Sequence, residues 1–296
     1  MSPDLTRTGD YDPRVLGRIK GAALARVQRQ ALLAQPAAQH AGPPPDLRGT
    51  VEVETTFARL LLDERDEWIT PTLVATRGWE PGQTALLGSR LQPGMTVIDG
   101  GAHVGYFTCQ AARLVGPRGL VLAFEPAPRN FELLQANVWR NGFGNVVCLP
   151  WALGDAAGLA PLQVSAVNTG DNRLVAADTA DAVLVRVARL DDVLAIRPPL
   201  DVVKLDVQGS EEAAVRGMTE LLVGSPNALV LAELSPADAR AAGSDPQGLL
   251  DFYRSLGFAI RVQLPDEKGV IDLSDHDLLA RAEELEHVNL VLERPT

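Results

Sequence analysis

From Leu91 onward, short runs of β-branched and aliphatic residues alternate with segments of helical period. The runs are Thr96 to Asp99, Leu120 to Glu125, Asn145 to Leu149, Asp201 to Asp206 and Leu229 to Glu233. Strands that alternate with helical stretches predict a parallel sheet joined by crossover helices, an α/β doubly wound architecture. Two later runs, Phe258 to Leu264 and Val288 to Leu292, close the chain. Between them and the fifth run, Asp245-Pro246 makes a helix start, Leu249, Leu250, Tyr253 and Leu256 supply one face, and Gly257 a stop. Upstream, the alternation over Thr50 to Leu62 is strand-like, Glu64, Arg65 and Asp66 mark a turn, and a helical stretch from Ile69 to Arg77 ends at Gly78. Pro13 to Leu33 spaces Val15, Ile19, Ala23 and Val27 four apart among arginines, an amphipathic basic helix that runs into Ala/Pro-rich linker sequence ending at Pro43, Pro44 and Pro45. The chain therefore divides into a basic helix and linker (1–48), an N-terminal cap (49–90) and a main α/β domain (91–296).

Several of the strands end in carboxylates. In an open α/β sheet the ligand crevice lies outside the carboxyl ends of the strands, so Asp99, Glu125, Asp206 and Glu233 are expected to converge on one edge. The net charge of -11 argues against a nucleic-acid partner, which needs a basic face. No apolar run reaches the length of a membrane span. Cys109 and Cys148 have no CxxC spacing and no secretory segment ahead of them, so a cytoplasmic setting without disulfides is expected.

The strongest local pattern is Val97-Ile98-Asp99-Gly100-Gly101-Ala102-His103-Val104-Gly105-Tyr106-Phe107-Thr108, an apolar strand running through glycines into a helix. Glycines let a ligand approach the backbone, and the free amides of a helix start favour electron-rich groups. Gly100, Ala102 and Gly105 nearly satisfy a degenerate dinucleotide fingerprint, which keeps a nicotinamide-dependent oxidoreductase in view. Asp99 argues the other way, because a carboxylate directly before the glycines suits a cationic amino group and repels a pyrophosphate. Glu125, closing Val121-Leu122-Ala123-Phe124-Glu125-Pro126, suits the two hydroxyls of a ribose in either cofactor.

Taken together, the Asp99 to Thr108 segment, Phe124-Glu125-Pro126, Leu153-Gly154-Asp155, and Lys204-Leu205-Asp206-Val207-Gln208-Gly209-Ser210-Glu211 with Arg216-Gly217 resemble the FkbM-type methyltransferases in order and spacing. The resemblance spans about Trp79 to Asn289. It implies a class I methyltransferase, Rossmann-like sheet with its last strand antiparallel, and S-adenosyl-L-methionine as cofactor. It further implies Asp99, Gly101, Ala102 and Gly105 at the methionine end, Glu125 at the ribose and Ala152 to Asp155 near the adenine, with Gly100 and Pro126 also counted among the cofactor-binding residues. Glu80, in Trp79-Glu80-Pro81, would help hold the amino acid end. One departure stands out: the family usually carries an acid where this chain has Gln208, which hydrogen-bonds but takes no proton.

For methyl transfer to oxygen the acceptor hydroxyl must be held in line and its proton removed. Asp206 is the first candidate base, and it also counts among the cofactor-binding residues; Glu233 and His103 are the other catalytic candidates. His40 belongs to the tail, and His276 and His287 fall in a late insertion. The polar segment from Ser165 to Asn172 reads as a plain surface loop more readily than as an acceptor rim. No tight cluster of hard ligands calls for a metal. The expected function is O-methylation of a hydroxyl on a specialised metabolite or sugar. Methylation of nitrogen or a carboxylate, perhaps on a peptide, and a non-catalytic scaffold are alternatives. The expected partner is a small-molecule acceptor, with neither nucleic acid nor membrane, and with a homo-oligomer contact available through the N-terminal helix.

Overall fold

In the computed structural model, residues 47–176, 182–194, 199–264 and 269–295 are described. The basic helix and linker expected over residues 1–46 lie outside them. The chain enters through a hairpin, β1 (Thr50–Glu54) and β2 (Arg59–Asp63), followed by α1 (Ile69–Thr76) and α2 (Pro81–Arg90). It continues through β3 (Thr96–Gly100), α3 (Tyr106–Val115), β4 (Leu120–Phe124), α4 (Pro128–Arg140), β5 (Val146–Leu149), β6 (Trp151–Leu153), β7 (Gly158–Gln163), β8 (Arg173–Leu174) and β9 (Ala182–Ala188). The remaining elements are α5 (Leu190–Val193), β10 (Val202–Leu205), α6 (Glu211–Arg216), α7 (Thr219–Val223), β11 (Leu229–Leu234), α8 (Pro236–Ala241), α9 (Pro246–Ser255), β12 (Ala259–Gln263), α10 (Asp275–Glu284) and β13 (Val288–Glu293).

Seven strands form the central sheet in the order β12-β13-β11-β10-β3-β4-β5. Every neighbouring pair is parallel except those of β13, which runs antiparallel to both β11 and β12. Strand order reverses between β3 and β10, the switch point at which such sheets open a crevice. This is the doubly wound class I architecture, with the last strand antiparallel as the resemblance implies. The seven predicted strands coincide with β3, β4, β5, β10, β11, β12 and β13 to within two residues at each end.

Alternation along the strands feeds two apolar layers. Ile98, Leu122, Val203 and Val230 face α6, α7, α9 and α10, whereas Val97, Val121, Val202 and Leu231 face α2, α3 and the hairpin. The first helix predicted downstream starts as expected, with Asp245 Oδ2 accepting the amide of Gly248 at 3.0 Å. The Thr50 to Leu62 alternation is broken into two strands, because the Thr55 hydroxyl accepts the Ala58 amide at 3.0 Å and donates to the Ala58 carbonyl at 2.9 Å. That side chain closes the turn.

The hairpin shares the core of the sheet: Leu60, Leu62 and Val53 pack with Val121, Leu133 and Leu231. On β2, the Leu61 amide donates to Asn137 Oδ1 at 2.7 Å and the Leu61 carbonyl accepts from Asn137 Nδ2 at 3.0 Å. Asn141 makes the same pair with Arg59. A second sheet, β6-β9-β7-β8, stands beside β4 and β5, and its β7–β8 connection carries residues 164–172 over the crevice. No helix among the described residues is long and apolar enough to cross a membrane.

Candidate active site

A cleft of about 410 Å³ opens at the carboxyl ends of β3, β4, β10 and β11, within the size range of small-ligand sites. Its floor is built by the Gly101–His103 turn after β3, and by Asp206 to Gln208 after β10. These two loops nearly touch. Gly101 has φ +78°, and a Cβ there would lie 1.8 Å from the Asp206 carbonyl oxygen, so only glycine lets the backbones meet. His103, next but one, also takes a left-handed conformation (φ 52°).

Glu125 follows β4 directly and lies in the wall. Its Oε2 accepts the His103 amide at 2.7 Å and its Oε1 the Ala127 amide at 2.8 Å. Burial pushes this carboxyl up to about 7 in spite of those two amides. Each oxygen keeps a lone pair for a ligand hydroxyl. Pro126 and Ala102 line the same stretch.

Glu80 enters from the residue before α2 with a left-handed backbone (φ 40°). Its Oε1 accepts from Trp79 Nε1 at 3.1 Å, while Oε2 is buried in the cleft wall without a partner. Burial raises its carboxyl to about 7, against the pull of Lys204. A buried acceptor left unmatched is costly unless a donor arrives, and an ammonium group of a bound amino acid would be such a donor.

Asp99 lies near the end of β3, as expected, but deep beside Lys204. It lies within β3, 2% exposed, beneath the first turn of α3, where Thr108 Oγ1 donates to its Oδ2 at 2.5 Å. Asp99 is not among the residues of the wall, where Glu80 is the carboxylate nearest the methionine end implied by the resemblance, and Asp99 Oδ1 is buried without a partner among the described residues. Gly100, wedged between Leu153 and Leu205, and Gly105, against Leu134, are likewise packing positions outside the wall. Asp155 is exposed in the turn after β6, away from the cleft.

Lys204 is the site residue that strand-end reasoning passes over. It is inside β10, 3% exposed, beside Asp99 on the neighbouring strand, with its ammonium 4.6 Å over the ring of Phe107. Its Nζ donates to Asp206 Oδ2 at 3.2 Å. Burial works against its charge, but Asp206, Asp99 and Glu80 outweigh burial and hold it protonated. The signal was available: a lysine in the middle of the run Val202-Val203-Lys204-Leu205 has no place in an all-apolar buried strand without carboxylates to meet it.

Asp206 is anionic. Burial opposes its charge, yet Lys204 and the hydrogen bonds from Lys204 and Gln208 hold its carboxyl below the usual range. Gln208, in a left-handed conformation (φ 51°), donates Nε2 to Asp206 Oδ1 at 2.8 Å. Glu233, the penultimate residue of β11, lines the cleft, and burial together with the charges of Asp206, Glu211 and Glu80 raises it well above the usual range. His103 Nε2 lies 2.8 Å from Thr169 Oγ1, and burial lowers the imidazole to about 4. It is a neutral hydrogen-bonding group at pH 7.

The segment from Ser165 to Asn172 is a rim of the cleft rather than a plain surface loop. Asn168, Thr169, Gly170, Asp171 and Asn172 all line it. The loop is held because the Glu67 amide donates to the Val167 carbonyl at 2.7 Å, Asn130 Nδ2 to the Thr169 carbonyl at 2.8 Å, and the Thr169 amide to Asp66 Oδ1 at 3.3 Å. Arg173, ion-paired with Asp171 and Asp238, ties this rim to α8. Of the late histidines, His287 lines the cleft mouth and His276 is exposed on α10, outside it. Among the described residues no group of three or more His, Cys, Asp or Glu is placed to hold a metal ion.

The Methyltransferase FkbM domain matches residues 99–260. Methyltransferase 1 of Beauveria bassiana (strain ARSEF 2860) is 28% identical over 195 residues, which cover 57% of this chain and 74% of that protein. Methyltransferase sdnD of Sordaria araneosa is 29% identical over 157 residues, 42% of this chain and 60% of that one. A crystal structure of methyltransferase FkbM from Methylobacillus flagellatus KT superposes with a TM-score of 0.45 at 16% identity. It aligns with 69% of this chain, which spans 44% of that longer chain.

Proposed function

The chain belongs to the FkbM family of S-adenosylmethionine-dependent methyltransferases, and from that premise we propose that it methylates a hydroxyl group of a small-molecule acceptor bound against the ends of β10 and β11. The observation that carries this reading is the charge of the cleft. Seven Asp or Glu side chains line it, against Lys204 and Arg173 as its only Lys or Arg among the described residues, and burial raises Glu80, Glu125 and Glu233, so that their full charge is favoured when a cationic ligand binds. Such a wall repels a pyrophosphate or a carboxylate acceptor and favours a ligand bearing an ammonium and a sulfonium.

The residues fit that ligand. Glu80, with its unpartnered Oε2, and the Gly101–Ala102 turn would hold the methionine end; Glu125 would take the ribose hydroxyls. When bound, the cofactor supplies an activated methyl group. The chain's own part is to hold the acceptor oxygen in line, to exclude water beneath the 165–172 rim, and to accept the hydroxyl proton. The acid excess would also draw a protonated amine, so nitrogen methylation is the second reading.

Titration calorimetry with S-adenosylhomocysteine tests the cofactor half: saturable binding is expected, together with none for NADH. Mass spectrometry of products from a panel of polyols, phenols and amines tests the acceptor half. Methylation confined to amines would remove the hydroxyl assignment.

A further inference from the structure

Two carboxylates face the acceptor end of the cleft, and the structure treats them differently. Asp206 has both oxygens engaged: Lys204 donates to Oδ2 at 3.2 Å and Gln208 to Oδ1 at 2.8 Å. Glu233 is in the same wall and takes no hydrogen bond from any described residue, though its carboxyl is accessible to the cleft. We propose that Glu233, not Asp206, takes the proton of the methyl acceptor, and that Gln208 is the positioning residue that makes this division by clamping Asp206 as a permanent hydrogen-bond acceptor. The inference rests on the function proposed above.

Gln208 stands where the family usually has an acid, and the geometry explains what the amide does. A second carboxylate 2.8 Å from Asp206 Oδ1 could not be accommodated without a shared proton, because two like charges at that distance cannot both stay ionised. The amide donates instead, so Asp206 keeps its charge and remains a weak base. Its other neighbours are Lys204 beneath it, His103 across the floor, uncharged at pH 7, and the acids Glu80, Asp99, Glu211 and Glu233, whose carboxyls are all raised beside it while Lys204 and Gln208 hold that of Asp206 low.

Glu233 is surrounded mainly by acids. Asp206, Glu211 and Glu80 face it, Lys204 is the opposing cation, and Glu286 and His287 stand at the cleft mouth before β13. Burial and these anions make it the stronger base of the two, and a bound cationic ligand would draw its proton off before the acceptor arrives. In the transfer step the acceptor oxygen forms the new bond to the methyl carbon. The carbon–sulfur bond breaks with its electron pair left on sulfur, and the hydroxyl proton passes to the Glu233 carboxylate, from which it is later lost to solvent.

The test is a carboxyl carbon NMR titration of the full chain labelled at Asp Cγ and Glu Cδ, run on the free protein and again saturated with S-adenosylmethionine, whose sulfonium supplies the positive charge that the thioether lacks. Asp206→Asn and Glu233→Gln identify the two signals. In the free protein the Asp206 signal should stay ionised through the ordinary carboxylate range with Glu233 titrating above that range, and bound S-adenosylmethionine should lower the Glu233 midpoint while leaving it above that of Asp206. In Gln208→Glu, the Asp206 midpoint should rise by at least about one pH unit, the behaviour of two carboxylates sharing a site. In Gln208→Ala, which removes the donor without adding charge, it should rise by less. Two results would overturn the proposal: Asp206 titrating above Glu233 in the wild type, or no movement of Asp206 in Gln208→Glu. Loss of S-adenosylhomocysteine binding in the wild type would instead strike the function proposed above, so the two failures are told apart.

Discussion

Replacing Gly101 by alanine separates the two demands that the cleft floor makes on one residue. The first is conformational: φ is +78°, and an L-residue held in the left-handed region costs about 1–2 kcal/mol. The second is steric. The new Cβ would lie 1.8 Å from the Asp206 carbonyl oxygen and 2.8 Å from its carbon, both backbone atoms that cannot swing aside, and forced overpacking of this kind costs about 1–3 kcal/mol. Together they amount to about 2–5 kcal/mol, a fall in melting temperature of about 4–20 °C for a domain of this size. Two controls isolate the parts. Gly142→Ala carries only the conformational cost, since φ is +69° with nothing within 4 Å, and should fall by about 2–8 °C. Gly217→Ala carries only the steric one, with φ at −73° and the Gly154 carbonyl 1.9 Å from the added Cβ. Scanning calorimetry orders the three, and titration calorimetry with S-adenosylhomocysteine adds the functional readout. Displacing the Asp206 backbone should weaken binding in Gly101→Ala alone, by about tenfold or more, equivalent to about 1.4 kcal/mol. If Gly101→Ala melts with Gly142→Ala and binds like wild type, the two floor loops do not meet as described.

Other expectations follow from buried polar groups. Asp63, 1% exposed, accepts from Arg65 and Arg129, and the hydrogen bond from Arg65 is the main influence holding its carboxyl well below the usual range. Its folded value is depressed, so its contribution is present above about pH 4 and is lost as the pH falls further. Urea midpoints of wild type and Asp63→Asn should therefore differ clearly at pH 7 and converge towards pH 2; a constant gap would contradict this. His103, lowered to about 4 by burial, is neutral when folded, so stability should decline as the pH drops from about 6.5 towards 4. That acid-side slope should be shallower in His103→Asn, measured by denaturant melts at stepped pH. Tyr253 buries its hydroxyl with no partner, so Tyr253→Phe should leave the melting temperature unchanged or raise it by a few degrees, as expected when an unmatched polar group is removed. A fall of comparable size would mean that the hydroxyl is satisfied in solution.

The strands of the main sheet were legible because each is a short β-branched run bounded by turn formers, and the helix at Pro246 because Asp245 caps it. The smaller sheet was not legible. β7 contains Gly158 and Pro161 and β8 is two residues long, so no period-2 signal survives, and the pairing to β9 is made across a long loop. α2 was missed for a similar reason: Gly82 and Gly88 dilute its periodicity, and its start at Pro81 follows a strained Glu80 rather than a Ser, Thr or Asp cap. At the site, the convergence of Glu125, Asp206 and Glu233 could be read from their places at strand ends. Asp99 shows the limit of that rule, since Asp99 and Glu233 are both penultimate in their strands and only Glu233 is in the cleft wall. Lys204 shows the converse, a polar residue inside an apolar run whose purpose emerges only when its lateral neighbour is known.

The asparagines of α4 that meet β2 have a further consequence for how the chain tolerates change. Asn137 and Asn141 are one helical turn apart, a rise of about 6 Å, and Leu61 and Arg59 are two strand positions apart, about 6.6 Å. The two spacings are commensurate, so α4 and its cap fix the alignment of β2 from one side while β1 fixes it from the other. Deleting a single residue from β2 would throw both amides out of step at once, and the front of the molecule would lose its gauge before it lost its core.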